Sequence, residues 1–463
     1  VLFRVLALTH QPVPTTFATG LAGYLLGWSL GVALARYARW TGVVAGITAA
    51  LVAGVPLLYE REVYDHALPL VAAIAAYVAP VVGFGLLYGQ LVARSTTSWG
   101  RDVGRYTAAN TLGSCLGILG FTWIGHELPI DVPLHALGLG LVAVGAVELG
   151  VGRWRVLGGA GAVAALAAAL AVAVAGWVPY TERAGWRTYW GRDGVIDVAP
   201  DRDVYIDGLW HTKLSDGRDH VGSPYSWLMA FAAVVAHGDP HRALVIGGGV
   251  GISSAALAGV DGMTVDVYEI DHTLQRVLRD YPDETLHAAT TPTVRWIWQD
   301  ARTGMALDPT TYDVILSAPL YLRQAGSSLL LSKEYLRLAK SRLNPGGVLA
   351  VYSNEGSPAQ TRLVQRTIAA LFQYRVTWYD GLVTVASDRP LALDRGALAV
   401  ALARPDPLFR EARDLDASLV PAGLFGWYDG DGYTTALADR EITDDQPLVE
   451  YPELAELWVG LLR

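Results

Sequence analysis

Four glycines crowd into five positions, Gly247-Gly248-Gly249-Val250-Gly251, directly after the apolar run Ala243–Ile246. Glycine has no Cβ, so such a loop lets backbone approach a bulky ligand and turn sharply into a helix. Glu269 follows Gly247 by 22 residues and closes a second apolar run. That is near the spacing at which an acid accepts both hydroxyls of a ribose. Asp271 stands two positions further on. After a third run lies Asp300, a carboxylate able to accept from an adenine amino group. Together these residues are a nucleoside-binding set, with Gly247, Gly249, Gly251, Glu269, Asp271 and Asp300 as the ligand contacts. Asp271 and Asp300 are equally suited to capping helices.

Catalytic chemistry is less legible. His211, Asp216, Ser317 and Tyr321 are of types that can move protons. A general base also needs a tuned pKa and reach to its proton, and spacing supplies neither. His211 reads as a structural polar residue, and no catalytic residue is assigned. Trp186, Trp190, Trp210 and Trp227 read as core or interface rather than a base-stacking platform. The ten histidines show no HExxH or paired spacing, so no metal site is expected.

The elements that must hold these residues alternate between strand and helix. Val195–Val198 and Val204–Ile206 alternate toward Asp207-Gly208, a hairpin-like opening. Strands are expected at Ala243–Ile246, Val265–Ile270, Val294–Trp298, Tyr312–Leu316 and Val348–Tyr352, with a helix from the glycine loop through Ala258 and another near Lys333–Leu343. Arg375–Tyr379 and Leu382–Ala386 flank Asp380-Gly381, a hairpin signal. Such alternation argues a doubly wound parallel sheet, and the terminal antiparallel hairpin marks a class I methyltransferase-like, Rossmann-type fold.

Composition divides the chain before that fold begins. The 463 residues are 52% hydrophobic and only 17% charged, with a mean hydropathy of +0.31. Soluble proteins carry about 25% charged residues. Residues 1–178 hold nine Arg, no Lys and seven Asp or Glu, which leaves 26 basic and 37 acidic residues for 179–463. A single soluble domain, a disordered chain and a nucleic-acid binder are all excluded, the last because no basic stripe is offered to phosphates. One cysteine, Cys115, excludes an intrachain disulfide framework and a CxxC zinc site.

Apolar runs of about 20 residues span a bilayer as helices. Six are expected, at 16–35, 41–59, 67–92, 106–126, 134–151 and 156–177. Small residues recur at helix-packing spacing: Gly23, Gly27 and Gly31; Gly42 and Gly46; Gly113 and Gly117. Asn110 and Glu148 read as packing or interfacial groups rather than a pathway. Loops on one side carry Arg36, Arg39, Arg94, Arg101, Arg105, Arg153 and Arg155, against Arg4 and Arg61 on the other. The positive-inside rule makes the seven-Arg side cytoplasmic, so the domain after 178 faces out of the cytoplasm, in a bacterial inner membrane. Expected domains are a membrane bundle at 1–178, a β-rich portion at 179–239, a Rossmann-type core at 240–400 and an extension at 401–463.

The segment from Asp207 to about Gly356 resembles spermidine synthases, the polyamine aminopropyltransferases. The matching residues are Ile206-Asp207-Gly208, the run Val245–Gly251, Glu269-Ile270-Asp271, Tyr312-Asp313-Val314-Ile315 and Pro345-Gly346-Gly347. The whole chain is similar to the membrane-fused branch. Its membrane signature is matched by the stretch Gly104–Gly113, and its C-terminal one by Thr443-Asp444-Asp445-Gln446-Pro447 with Glu450. That branch implies one further span before Phe3-Arg4, and the chain begins on Val1 rather than Met.

The departures from the family are on the amine side. The resemblance implies a catalytic Asp five residues after Asp313, where this chain has Ala318. The Asp of the family's glycine loop is Val250, and its Gln after Asp-Gly is His211. The diamine segment is best matched by Tyr225-Ser226-Trp227, which has no carboxylate to offset desolvation of a dication. The leading expectation is a membrane protein that no longer transfers aminopropyl groups and acts as a binding or assembly module in a larger membrane complex. Lipid and other membrane subunits would be its partners. No cofactor is required, though S-adenosylmethionine, its decarboxylated form or methylthioadenosine is an expected residual ligand. The alternative is an active transferase using such a donor on a non-diamine acceptor. A transporter gated by a nucleoside sensor draws little support from the spans.

Overall fold

A computed structural model of the chain describes residues 14–37, 44–45, 47–52, 70–94, 99–123, 137, 185–215, 224–319, 321–322, 326–353, 358–378, 382–391, 403–404, 406 and 441–445. The chain divides into two compact units, residues 1–200 with 206–209, and 201–205 with 210–463.

In the first unit, long apolar runs without breakers form helices. α1 covers Pro14–Leu34, α2 Leu70–Arg94 and α3 Trp99–Trp123. The predicted spans at 16–35, 67–92 and 106–126 coincide with these helices. α3 starts seven residues before its span, because helical backbone continues through the polar turn that holds Arg101 and Asp102. Residues 44–45 and 47–52 of the second span are helical, while its remainder, most of the fifth and all of the sixth, Gly42, Gly46 and Glu148 lie outside the described residues. Among the described residues, Phe17–Leu34 is the one helix long and apolar enough to cross a membrane.

α1 packs on α2 through its glycines. A Cβ on Gly31 would lie 2.7 Å from the Leu86 nitrogen and 2.9 Å from the Gly85 Cα, so backbone meets backbone there. Trp28 packs on Tyr88, ring centroids 5.4 Å apart, and the Tyr88 hydroxyl lies 3.1 Å from the Thr107 hydroxyl of α3. The outer side of α1 is apolar, with Leu21, Leu25, Leu26 and Leu30 exposed. Asn110 is exposed, and no described atom comes within 4 Å of a Cβ placed on Gly113 or Gly117. The unit also holds an antiparallel pair, β1 (Arg187–Trp190) and β2 (Val195–Val198).

The second unit carries β3 (Asp203–Ile206) and β4 (Leu209–Lys213), then α4 (Pro224–His237) and a seven-stranded sheet. Its strands are β5 (Arg242–Ile246), β6 (Thr264–Glu269), β7 (Val294–Trp298), β8 (Tyr312–Ser317), β9 (Leu343–Tyr352), β10 (Tyr374–Trp378) and β11 (Val383–Ser387). They lie side by side as β10-β11-β9-β8-β5-β6-β7. The five from β5 to β9 are parallel, and β11 pairs antiparallel with both β9 and β10. Counted in chain order this is 3-2-1-4-5-7-6, the class I methyltransferase-like arrangement expected from the strand-helix alternation and the terminal hairpin.

Helices α5 (Ile252–Ala258), α6 (Leu274–Asp280), α7 (Ala301–Leu307), α8 (Lys333–Ser341) and α9 (Pro358–Ala369) connect or flank the strands. Strands covered on both faces read as continuous apolar runs, and Ala243–Ile246 is fully buried. One core cluster joins Leu244, Ile246, Ile315, Leu349 and Val351 of the sheet to Leu336, Val364 and Ile368 of α8 and α9.

The motif residue Asp313 serves this scaffold. Its Oδ2 accepts the backbone N–H groups of His241 and Arg242 at 2.9 and 3.0 Å, and its Oδ1 accepts the Asn344 amide at 2.8 Å. One carboxylate thus ties together the N-terminal ends of β5, β8 and β9. Opposed to its burial, these hydrogen bonds hold its pKa below the usual carboxylate range.

Candidate functional site

Strand order reverses between the parallel neighbours β5 and β8: from β5 the chain proceeds outward to β6 and β7, and from β8 toward the other edge to β9. Ligands of open α/β sheets sit outside the C-terminal strand ends at such a switch point. Gly247 leaves β5 there, and Ala318 leaves β8. A Cβ on Gly247 would lie 3.3 Å from the Ala318 carbonyl oxygen.

The glycine loop is shaped by two constraints. Gly247, Gly249 and Gly251 all have positive φ, at 79°, 52° and 84°. Gly248 has no room for a side chain, because a Cβ would lie 2.5 Å from both the Trp296 ring and the Val267 side chain. Val250, where the related loop carries Asp, is buried.

Glu269 ends β6 beside this loop and is buried. Its Oε2 accepts the Gly249 N–H at 2.9 Å and its Oε1 accepts the Asp271 N–H at 2.8 Å. Burial raises its pKa, against the lowering effect of those N–H groups. A carboxylate has about four lone-pair sites; the backbone of Ile270 also bonds to Glu269, and acceptor capacity remains for a sugar hydroxyl.

The other predicted contacts have local duties as well. Asp271 Oδ1 accepts the Thr273 N–H at 2.8 Å, shaping the turn before α6. Asp300 caps α7: its Oδ1 accepts from the Thr303 N–H at 2.8 Å and the Thr303 hydroxyl at 2.7 Å. Both bonds end on Oδ1, so Oδ2 keeps acceptor capacity. Sheet order therefore brings the glycine loop, Glu269 and Asp300 to the ends of three neighbouring strands.

Two residues of this wall escape a spacing-based reading. Trp296 and Trp298 alternate on one face of β7 and stack, centroids 5.1 Å apart and planes 12° off parallel. Trp296 packs under Gly248 and donates to the Ala288 carbonyl at 3.0 Å. Trp298 is the register partner of Glu269 and is half-buried. The alternation Trp-Ile-Trp was visible in the sequence as a shared strand face.

The far side of the switch point is different in kind. Ala318 is followed by buried Pro319, and below it the Ser317 hydroxyl pairs with the buried Tyr335 hydroxyl at 2.8 Å. Burial raises the Tyr335 pKa. Tyr225, at the start of α4, stacks on Tyr352 at the end of β9, centroids 4.2 Å apart and 9° off parallel. Tyr225 also hydrogen-bonds with Thr212 and Ser226. His211, on β4, has a buried Nδ1 with no hydrogen-bond partner among the described residues, and burial lowers its pKa to about 4. It is neutral at neutral pH. Trp190 and Trp227 are buried, Trp210 is exposed, and Asp216 lies outside the described residues.

A polyamine aminopropyltransferase of Pseudomonas aeruginosa is 28% identical over 202 residues, which is 41% of this chain and 56% of that protein. One of Streptomyces coelicolor is 30% identical over 243 residues, covering 48% and 42%. The chain is spermidine synthase-like. It spans about half the length of the curated relatives it matches. A solved structure of a probable spermidine synthase from Corynebacterium glutamicum is similar at 19% identity with a TM-score of 0.39, over 48% of this chain and 88% of that one. No family model matches the chain.

Proposed function

We propose that this spermidine synthase-like protein is anchored in a bacterial inner membrane, binds an adenosine-type nucleoside and does not transfer aminopropyl groups. It works as a binding or assembly module beside other membrane subunits. The observation that carries this reading is Ala318 at the switch point, where the resemblance calls for the amine-deprotonating Asp. A methyl group can neither take a proton nor hold an ammonium. Among the described residues, Tyr225 at the start of α4, Tyr352 at the end of β9 and the neutral His211 of β4 bring no negative charge for a diamine.

Nucleoside binding is supported by the spare acceptor capacity of Glu269 and Asp300. Glu269 would take the two ribose hydroxyls and Asp300 Oδ2 the adenine amino group. The relatives are named for aminopropyl transfer, and one similar solved spermidine synthase holds the transition-state analogue AdoDATO. Purified full-length protein given decarboxylated S-adenosylmethionine and putrescine is expected to release no spermidine above background. Turnover that disappears on Glu269→Ala would instead establish an active transferase.

Membrane anchoring is supported by α1, whose exposed leucines would face lipid. The bias of seven Arg against two supports a domain on the non-cytoplasmic side, away from adenosylated donors, which fits lost catalysis. A single cysteine at Asp283, 85% exposed, in a Cys115→Ser background tests this. Labelling by an impermeant maleimide on intact cells is expected. Labelling only after lysis places the domain inside.

A further inference from the structure

Asp444 lies 142 positions after Arg302 of α7, and the segment Glu441–Asp444 yet fastens that helix. Arg302 is the second residue of α7, two after the cap Asp300. Its guanidinium forms a fork with Asp444, Nη1 to Oδ1 and Nη2 to Oδ2, both 2.8 Å. The same Nη1 donates to the Leu329 carbonyl at 3.2 Å, in the short helical turn Ser327–Leu330 that follows β8. Forked Arg–carboxylate pairs fix orientation as well as distance.

The segment itself is firmly seated. Ile442 is fully buried among Leu336, Val364 and Ile368. Its N–H donates to the Thr367 hydroxyl at 3.0 Å, and its carbonyl accepts the Lys333 N–H at 2.8 Å. Lys333 Nζ pairs with Glu441, and the Asp444 N–H donates to Glu334 at 3.1 Å. The Arg302 hydrogen bonds lower the Asp444 pKa to about 2, so the pair stays charged at any working pH. One strap therefore reaches α7, α8, α9 and the turn after β8.

We propose that Asp444 is a positioning residue for nucleoside recognition: through Arg302 it fixes the first turn of α7, and with it the Asp300 carboxylate that reads the adenine amino group. The assignment rests on the nucleoside reading above. Arg302 and Asp444 do not touch the ligand. A cap carboxylate on an unfastened helix start would still bond Thr303, but its free oxygen would no longer be aimed.

The test uses two nucleosides on full-length protein in nanodiscs. Methylthioinosine carries a carbonyl where methylthioadenosine carries its amino group. Wild-type protein is expected to favour methylthioadenosine about tenfold by calorimetry, the worth of one charge-assisted hydrogen bond. Asp444→Asn is expected to weaken methylthioadenosine and bring the ratio near one, while Glu269→Ala weakens both nucleosides alike. Asp444→Glu is expected to restore part of the ratio. Should Asp444→Asn fail to fold, Arg302→Lys keeps the charge but not the fork and is expected to lose the ratio. A folded variant that keeps the wild-type ratio overturns the proposal while leaving nucleoside binding standing. Wild-type protein that binds neither nucleoside overturns both. Unfolding of both variants also overturns it, since the strap would then hold the fold rather than aim a residue.

Discussion

The two flanks of the β5–β8 switch point differ in charge among the described residues. On the β5–β6–β7 side Glu269 is buried, and the N–H groups of Gly249 and Asp271 offset part of the cost of its charge. On the β8–β9 side the described groups are the Ala318 methyl and the Tyr225 and Tyr352 phenols, with a neutral imidazole on β4. A buried carboxylate is expensive without partners. On the reading proposed above, packed aromatics on the amine side avoid that cost. The half that still holds its carboxylate is the half where backbone donors depend on it.

That contrast is broken most directly at Glu269. Glu269→Ala removes both ribose acceptors, each worth about 1.5–3 kcal/mol as a charged hydrogen bond. Methylthioadenosine affinity should fall at least about a hundredfold. Two N–H groups, of Gly249 and Asp271, would lose their acceptor as well, so the glycine loop should loosen. Calorimetry reads the first effect and amide exchange at Gly249 the second. Unchanged affinity would move the nucleoside site away from β6.

The next effect concerns the neutral side and shows in pH. The His211 pKa is near 4 in the fold against an ordinary 6.5. The unfolded chain thus binds a proton that the folded one refuses between these values. The stability from this residue is complete above pH 6.5 and is lost as pH falls toward 4. Over that window the loss amounts to about 3 kcal/mol at most. His211→Gln, which removes the titration, should flatten stability against pH in that range. Chemical denaturation at pH 7 and pH 5 measures it, and an unchanged slope would mean that His211 is protonated in the fold.

The parts legible in the sequence are those written locally. Glycines after an apolar run, an acid closing the next run and Asp-Gly between two strands each carry their own signal. Strand ends deviate by a residue or so, except for β9. It starts at Leu343, before Pro345-Gly346-Gly347, because Tyr312 pairs with Leu343 ahead of a register shift. Turn-forming residues hid that pairing. The burial of β1 does not alternate, and α4 is apolar on most faces because it is buried, so neither announced itself. Contacts between distant residues were invisible. Nothing near Arg302 points to Asp444, and nothing near Asp313 points to the start of β5.

The smallest expected effect is the sharpest comparison. Ala318→Asp returns a carboxylate to the position where the related synthases hold their base. If the amine side differed by that one residue, the variant should gain spermidine formation. It should not. A diamine carries two charges, and one carboxylate offsets the desolvation of only one. The neighbouring Tyr225–Tyr352 stack is packed at 4.2 Å and bound to Thr212, and neither ring brings a second carboxylate. His211 is neutral and buried where the family has Gln. Turnover with decarboxylated S-adenosylmethionine and putrescine should therefore stay at background, while methylthioadenosine affinity changes by less than about threefold, since Ala318 follows β8 and Glu269 ends β6, with β5 between them. Spermidine formation by the single variant would show that the amine side is intact but for its base, and the difference between the two halves would shrink to one residue.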